Sequence, residues 1–167
     1  MPDLLSHALI AFVLGTLLSW RLGWLDPRDV TLVMAGAFVP DLAKIVLLVP
    51  SERVAATLDL PFDWLGLHTA GGAVLAIIVG VVLVPHRLRR RVAALLALGA
   101  ASHLLADALL LKASGHSYPL AWPLTDYAPP TPGLYLSTDL WPSVVLGGVA
   151  LVVWVVDRRV VQDGSSR

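Results

Sequence analysis

Between Val92 and Leu111 the chain runs through twenty residues of which only two ionise, His103 and Asp107. A run of about that length is what an α-helix needs to cross a ~30 Å hydrocarbon layer. Inside such a layer every main-chain group must be satisfied within the segment, which leaves the helix as the only form available to an isolated run. At ~3.6 residues per turn His103 and Asp107 fall on one face, one turn apart. Ionisable groups at such depth are costly, and they face a partner, a cavity or a metal. The rest of the sequence can be searched for those partners.

Four further apolar segments resemble the first, and together the five run Leu4–Trp20, Val30–Val49, Leu65–Val84, Val92–Leu111 and Trp141–Val156. Only 14% of the residues are charged and 57% are hydrophobic, with a mean hydropathy of +0.77. A soluble domain carries about 25% charged residues. The expected fold is therefore all-α, an integral membrane bundle of about five transmembrane helices forming one domain over residues 1–157. Pro27, Pro50, Pro61, Pro85 and Pro142 lie at or near segment edges, where helices start and stop. Pro40 lies in the middle of the second segment, where it should kink the helix and release backbone groups. Met1-Pro2-Asp3 lacks the basic start of a signal peptide, so the first segment is expected to be retained.

Nine of the twelve Lys and Arg residues fall in the turn after segment one, the turn after segment three and the tail (Arg21, Arg28, Arg87, Arg89, Arg90, Arg91, Arg158, Arg159 and Arg167). The positive-inside rule then places the N-terminus outside, the C-terminus inside and residues 158–167 as a cytoplasmic tail. The protein is expected in the cytoplasmic (inner) membrane as a multi-pass protein in contact with membrane lipids. Of the two outer connections, Ser51–Trp64 is short and 113–140 is long and rich in Pro and aromatics. The long one is too apolar for a disordered linker and is expected to pack over the outer end of the bundle.

With that topology the remaining ionisable residues acquire a depth. Asp41 lies nine residues before Pro50, roughly 13 Å below the outer end at ~1.5 Å per residue. His103 and Asp107 lie about 13 and 8 Å down by the same measure. His7 and His68 start helices one and three from the outer side. Five residues from four helices thus share the outer half of the bilayer, whereas the inner halves carry almost nothing ionisable. Three imidazoles and two carboxylates suit a divalent metal, zinc first and manganese or iron as alternatives. Asp3 repeats the four-residue spacing with His7 and either ligates or orients it. The bland readings are interfacial histidines at His7 and His68, an Asp41–Lys44 ion pair, and a His103–Asp107 hydrogen bond within one helix. His116, Asp126 and Asp139 in the long loop are read as solvated. Gly71-Gly72, Gly80, Gly99 and Gly147-Gly148 read as helix-packing positions.

Several classes are excluded. The chain has no cysteine, which removes disulfides and thiolate zinc sites. Zero formal net charge gives no global field for nucleic acid, and Arg87–Arg91 reads as a topology signal in contact with lipid phosphates. No phosphate-binding loop and no nucleophile elbow occur.

At these residues the chain resembles the YdjM/YbcI-type family of membrane-bound, metal-dependent hydrolases, also described as LexA-binding and inner-membrane associated. Ser6-His7 looks like the family's Thr-His pair, and Gly36-Ala37-Phe38-Val39-Pro40-Asp41-Leu42-Ala43 looks like its Gly-x-x-x-Pro-Asp-x-Asp element. Asp63-Trp64-Leu65-Gly66-Leu67-His68-Thr69 looks like its His-Arg-Gly-x-Thr-His-Ser element. His103 to Asp107, Gly115 and Trp122-Pro123 complete the likeness over roughly residues 1–125. Ala43 stands where the family has a second aspartate, and Asp63 stands where it has a histidine. A two-ion family site would be reduced here to one ion, or kept without catalysis.

The resulting expectation is a hydrolase of an ester or phosphoester of a lipid or lipid-linked molecule at the extracytoplasmic face. His7, Asp41, His68, His103 and Asp107 are the expected metal ligands. Asp3, Asp63 or a carboxylate of the outer loop is the expected proton acceptor, since hydrolysis needs one near the attacking water. The rival expectation is a non-catalytic scaffold or partner subunit, oligomeric or joined to another chain, in which the cluster is a polar packing core. A transporter would need polar residues in the inner halves of the helices, and these are lacking.

Overall fold

The computed structural model describes residues 4–136 and 138–165, with side chains to residue 159. Its regular elements are helical, and among the described residues β-pairing is limited to two isolated bridges in the long loop region. Six α-helices occur in chain order: α1 (Leu4–Ser19), α2 (Val30–Ala37), α3 (Ser51–Leu58), α4 (Ala70–Val82), α5 (Arg89–Ala108) and α6 (Trp141–Ser165). Short 3-10 turns over Pro27–Asp29, Pro40–Leu47, Trp64–His68 and His86–Leu88 join them.

By length and composition, His86–Ala108 and Trp141–Arg159 are apolar enough to cross a membrane. A third span arises if Pro27–Ala37 and Pro40–Leu47, bent by 44° at their junction, count as one. The bend falls at Pro40, as the sequence implies, because proline supplies no N–H to the helix behind it. Leu4–Ser19 and Ala70–Val82 are apolar but shorter. The third apolar segment departs most from expectation. Its α-helix begins only at Ala70, where the Thr69 hydroxyl accepts from Gly72 N–H, so His68 sits in a 3-10 turn ahead of the helix. The short connection Ser51–Trp64, in turn, contains α3, which buries none of its residues.

α5 is the centre, packing against α1, α2 and α4. Its closest approach is to α2, where a Cβ on Gly99 would stand 1.9 Å from the Val33 carbonyl oxygen and one on Gly36 2.3 Å from that of Leu96. The two backbones touch because neither residue has a side chain there. Gly71 and Gly72 are similarly pressed against Trp122-Pro123 and Gly66. Gly80, Gly147 and Gly148 are not packing positions, since a Cβ on any of them would meet nothing within 4 Å. Their small size serves no contact within this chain.

α1 and α6 run in parallel. Ser6 and Ser143 hydroxyls meet at 2.8 Å near one end, and Trp20 Nε1–H donates to Asp157 at 2.8 Å near the other. At that second end, Arg91 at the start of α5 forks onto Asp26 at 2.7 Å and onto Asp29, whose carboxylate also accepts from the Asp26 N–H. Part of the arginine-rich turn is therefore a clasp on the connection between α1 and α2. Arg91→Gln is expected to lower the unfolding midpoint by leaving the buried Asp29 carboxylate unpaired. Arg91→Lys should recover only part, since lysine lacks the fork geometry. Thermal unfolding in detergent checks both.

The long loop does pack over the opposite end of the bundle. The Leu120 and Trp122 carbonyls accept from Ala70 and Gly71 N–H at 2.7 and 2.9 Å, satisfying donors that the start of α4 leaves open. Leu111 N–H donates to Tyr135 and Leu134 N–H to Leu109, which ties the loop's far arm to the end of α5.

Candidate metal centre

Five of the expected residues arrive at one place. His7 comes from α1, Asp41 from the turn after Pro40, His68 from the turn before α4, and His103 and Asp107 from successive turns of α5. All five are buried, His103 and Asp107 completely. His68 Nε2 lies 2.6 Å from Asp107 Oδ2, His7 Nε2 3.4 Å from Asp107 Oδ1, and His103 Nε2 3.6 Å from Asp107 Oδ2 and 4.0 Å from Asp41 Oδ1. The His7 and His103 rings stack with centroids 3.6 Å apart, and His68 stands edge-on to His103.

The way these rings are held decides their chemistry. The α2 helix stops at Ala37, and the Ala37 carbonyl is directed at His103 Nδ1, 2.7 Å away. The Pro40 carbonyl lies 3.2 Å from His68 Nδ1. A carbonyl can only accept, so in both rings Nδ1 carries the proton. His103 Nε2 is then left with a lone pair, while His68 Nε2 is hydrogen-bonded to Asp107 Oδ2. Both nitrogens face carboxylate oxygens, which present lone pairs of their own. Such an arrangement calls for a cation between them, either a proton or a metal. His7 Nε2, His103 Nε2, Asp41 Oδ1 and Asp107 Oδ1 are all buried and without a hydrogen-bond partner. Buried polar atoms are rarely left so, and here four of them face one another.

The donor set fits a divalent ion. Two triads, His7/His103/Asp107 and Asp41/His68/His103, each bring three ligand atoms within 4.8 Å of one another. Ligands ~2.0–2.2 Å from zinc stand roughly 3.3–3.6 Å apart, a separation the distances above bracket. His103 belongs to both triads through its one free nitrogen, which makes the arrangement a single centre. The Asp41–Lys44 pair considered from the sequence is formed, at 2.8 Å, but through Oδ2, leaving Oδ1 turned inward. No hydrogen bond joins His103 and Asp107 within α5, because His103 spends its proton on Ala37.

The expected proton acceptors are placed otherwise. Asp3 lies outside the described residues. Asp63 is exposed, and its carboxylate caps the 3-10 turn by accepting from Leu65 N–H at 2.9 Å and from the Ser51 hydroxyl at 3.3 Å. It is not among the converging ligand atoms. If capping is its role, Asp63→Ala costs about 1 kcal/mol of stability and leaves metal content unchanged, which melting curves and elemental analysis would read together. His116 and Asp126 are exposed, and Asp139 is spent on Leu136 N–H at 2.8 Å.

Other contributors were not legible beforehand. Tyr118, from the long loop, meets His68 edge-on with centroids 5.4 Å apart, and Lys112 Nζ lies 3.4 Å over the same ring. Burial pulls the Lys112 ammonium below the ordinary lysine range while the charge of Asp107 pulls it back. Tyr135 donates to the Ala106 carbonyl at 2.7 Å, and burial with the nearby Asp107 charge pushes its hydroxyl up to about 12. Compared with protein-family models, with curated proteins and with solved structures, the chain gives no significant match.

Access comes from the loop side. A cleft of about 500 Å³ between Pro61–Thr69 and Tyr118–Trp122 has His68 in its lining, and one of about 200 Å³ reaches His68 and Tyr118 from beside Lys44. Ala43 is buried and lines the smaller cleft.

Proposed function

We propose that the protein is a five-pass protein of the cytoplasmic membrane, N-terminus outside. Its buried cluster holds one divalent ion, with zinc first, to hydrolyse an ester or phosphoester of a lipid or lipid-linked molecule. The observation that carries the metal is the convergence of four unpartnered buried ligand atoms, one of them on His103, which both triads share. The resemblance to the YdjM/YbcI-type hydrolases points the same way. Shorter α1 and α4 complete five passes with help from interfacial Trp20 and Trp64, and α4 also from the 3-10 turns on either side of it.

A divalent ion bound here would polarise an ester oxygen and acidify a water. The chain's own groups would do the rest. The Ala37 and Pro40 carbonyls hold His103 and His68 in the ligating tautomer, and Lys44 neutralises one of two carboxylates. Loop packing over α4 limits water to the two clefts at His68. In hydrolysis the acyl–oxygen or phosphorus–oxygen bond breaks, water's hydroxyl goes to the acyl or phosphoryl group, and the alcohol leaves with a proton.

The test is elemental analysis of the detergent-purified protein, followed by assay on chromogenic aryl esters and aryl phosphodiesters with and without chelator. Stoichiometric metal and chelator-sensitive turnover, lost in Asp107→Asn, support the reading. Metal without turnover on either substrate class leaves the scaffold reading, which the closed Asp41–Lys44 pair favours. No metal at all removes both the cofactor and the hydrolase.

A further inference from the structure

Three cavities on the loop side share their walls in sequence. An apolar groove of about 720 Å³ runs between Val74 and Leu75 of α4 and Ala121–Leu124 of the loop. It shares Phe62, Asp63, Gly66 and Trp122 with the cleft at His68. That cleft in turn shares Leu65, His68 and Tyr118 with the smaller one beside Lys44. The three cavities thus adjoin in a row, from an apolar trough, past His68, to Lys44.

The two ends of the row differ in chemistry. The trough is almost wholly apolar, lies within the ~300–1,000 Å³ range of small-molecule sites, and is walled by Val74 and Leu75, which are more than half exposed. Those two face outward from an apolar helix, so the trough opens sideways where lipid chains would lie. Asp63, at the junction, accepts from Leu65 N–H and the Ser51 hydroxyl through one of its two oxygens, Oδ1. At the far end Lys44 is about one-third exposed and uses one bond, to Asp41 Oδ2. An ammonium has three donors, so two remain to be directed into the cleft.

We infer that this row of cavities is the seat of an anionic single-chain amphiphile, with its hydrocarbon chain between α4 and Trp122–Leu124 and its anionic head at Lys44. The head-to-chain junction then passes His68. This deepens the hydrolase reading by naming its substrate class, and it rests on that reading only for turnover, not for binding.

The experiment uses the full chain in nanodiscs with a long-chain monoalkyl phosphate carrying a diazirine near its methyl end, and the matching uncharged alcohol as comparison. After irradiation and peptide mapping, adducts of the phosphate probe should concentrate within 62–75 and 121–124. Lys44→Gln should cut phosphate-probe labelling about tenfold, the value of one lost charge-assisted contact, and leave the alcohol unaffected. Val74→Trp, at an exposed position that tolerates bulk, should reduce both. Inorganic phosphate should compete weakly, since it lacks the chain. Adducts spread over α1 and α6 as for bulk lipid, or cross-linked pairs of chains from the trough, would overturn the inference. Labelling in the trough with no hydrolysis would sink the enzymatic reading alone. Hydrolysis of short soluble esters without trough labelling would sink this inference alone.

Discussion

Purified His103→Ala is expected to contain no stoichiometric divalent metal where the parent protein does. Structural zinc sites bind with roughly 10–16 kcal/mol over about four ligands, so one ligand is worth roughly 3 kcal/mol, or about two orders of magnitude in affinity. His103 should exceed that share, because its Nε2 is common to both triads and its loss leaves neither complete. His7→Ala and Asp41→Ala each break one triad and should weaken binding less. Competition with a chromogenic chelator measures all three on one scale. An equal loss in the three variants would contradict the single shared centre, and retained metal in His103→Ala would end the metal reading.

The second large effect lies a turn away. Gly99→Ala places a methyl where the Val33 carbonyl oxygen now lies 1.9 Å away and the Ala37 nitrogen 2.6 Å away. Both obstacles are main chain, so nothing can rotate aside and α2 and α5 must separate. Overpacking of this kind costs about 1–3 kcal/mol, and more where backbone must move. The same separation draws the Ala37 carbonyl away from His103 Nδ1, so metal affinity should fall together with the melting temperature. Gly80→Ala and Gly147→Ala are the controls, since a Cβ there meets nothing within 4 Å. In a helix interior they should be neutral or stabilising by up to ~1 kcal/mol. A mild Gly99→Ala would mean that the α2–α5 contact does not position the site.

The convergence of His7, Asp41, His68, His103 and Asp107 was legible because position along an apolar helix can be counted from its ends. Prolines mark segment ends, and 1.5 Å per residue does the rest. The Pro40 break was legible for the same reason, since proline's missing N–H is a local property. The meeting of Tyr118 with His68 was not, because a loop of this length reaches its contacts across space with no period to follow. His68 was placed on a helix although Thr69 caps that helix after it. The cap hydroxyl outweighs an apolar pattern that reads straight through. Gly80, Gly147 and Gly148 show the limit of small-residue patterns, for a glycine's sequence neighbours do not reveal whether another backbone lies opposite.

The main-chain carbonyls at the Pro40 break also sort the histidines by how each ring is fixed. His103 and His68 donate from Nδ1 to the Ala37 and Pro40 carbonyls, so neither ring can turn without breaking a bond to the backbone. His7 has neither ring nitrogen engaged in a hydrogen bond among the described residues. Its ring is held instead by stacking on His103. A helix interrupted by one imino acid thus leaves the cluster with two imidazoles pinned to the backbone and one held by packing alone.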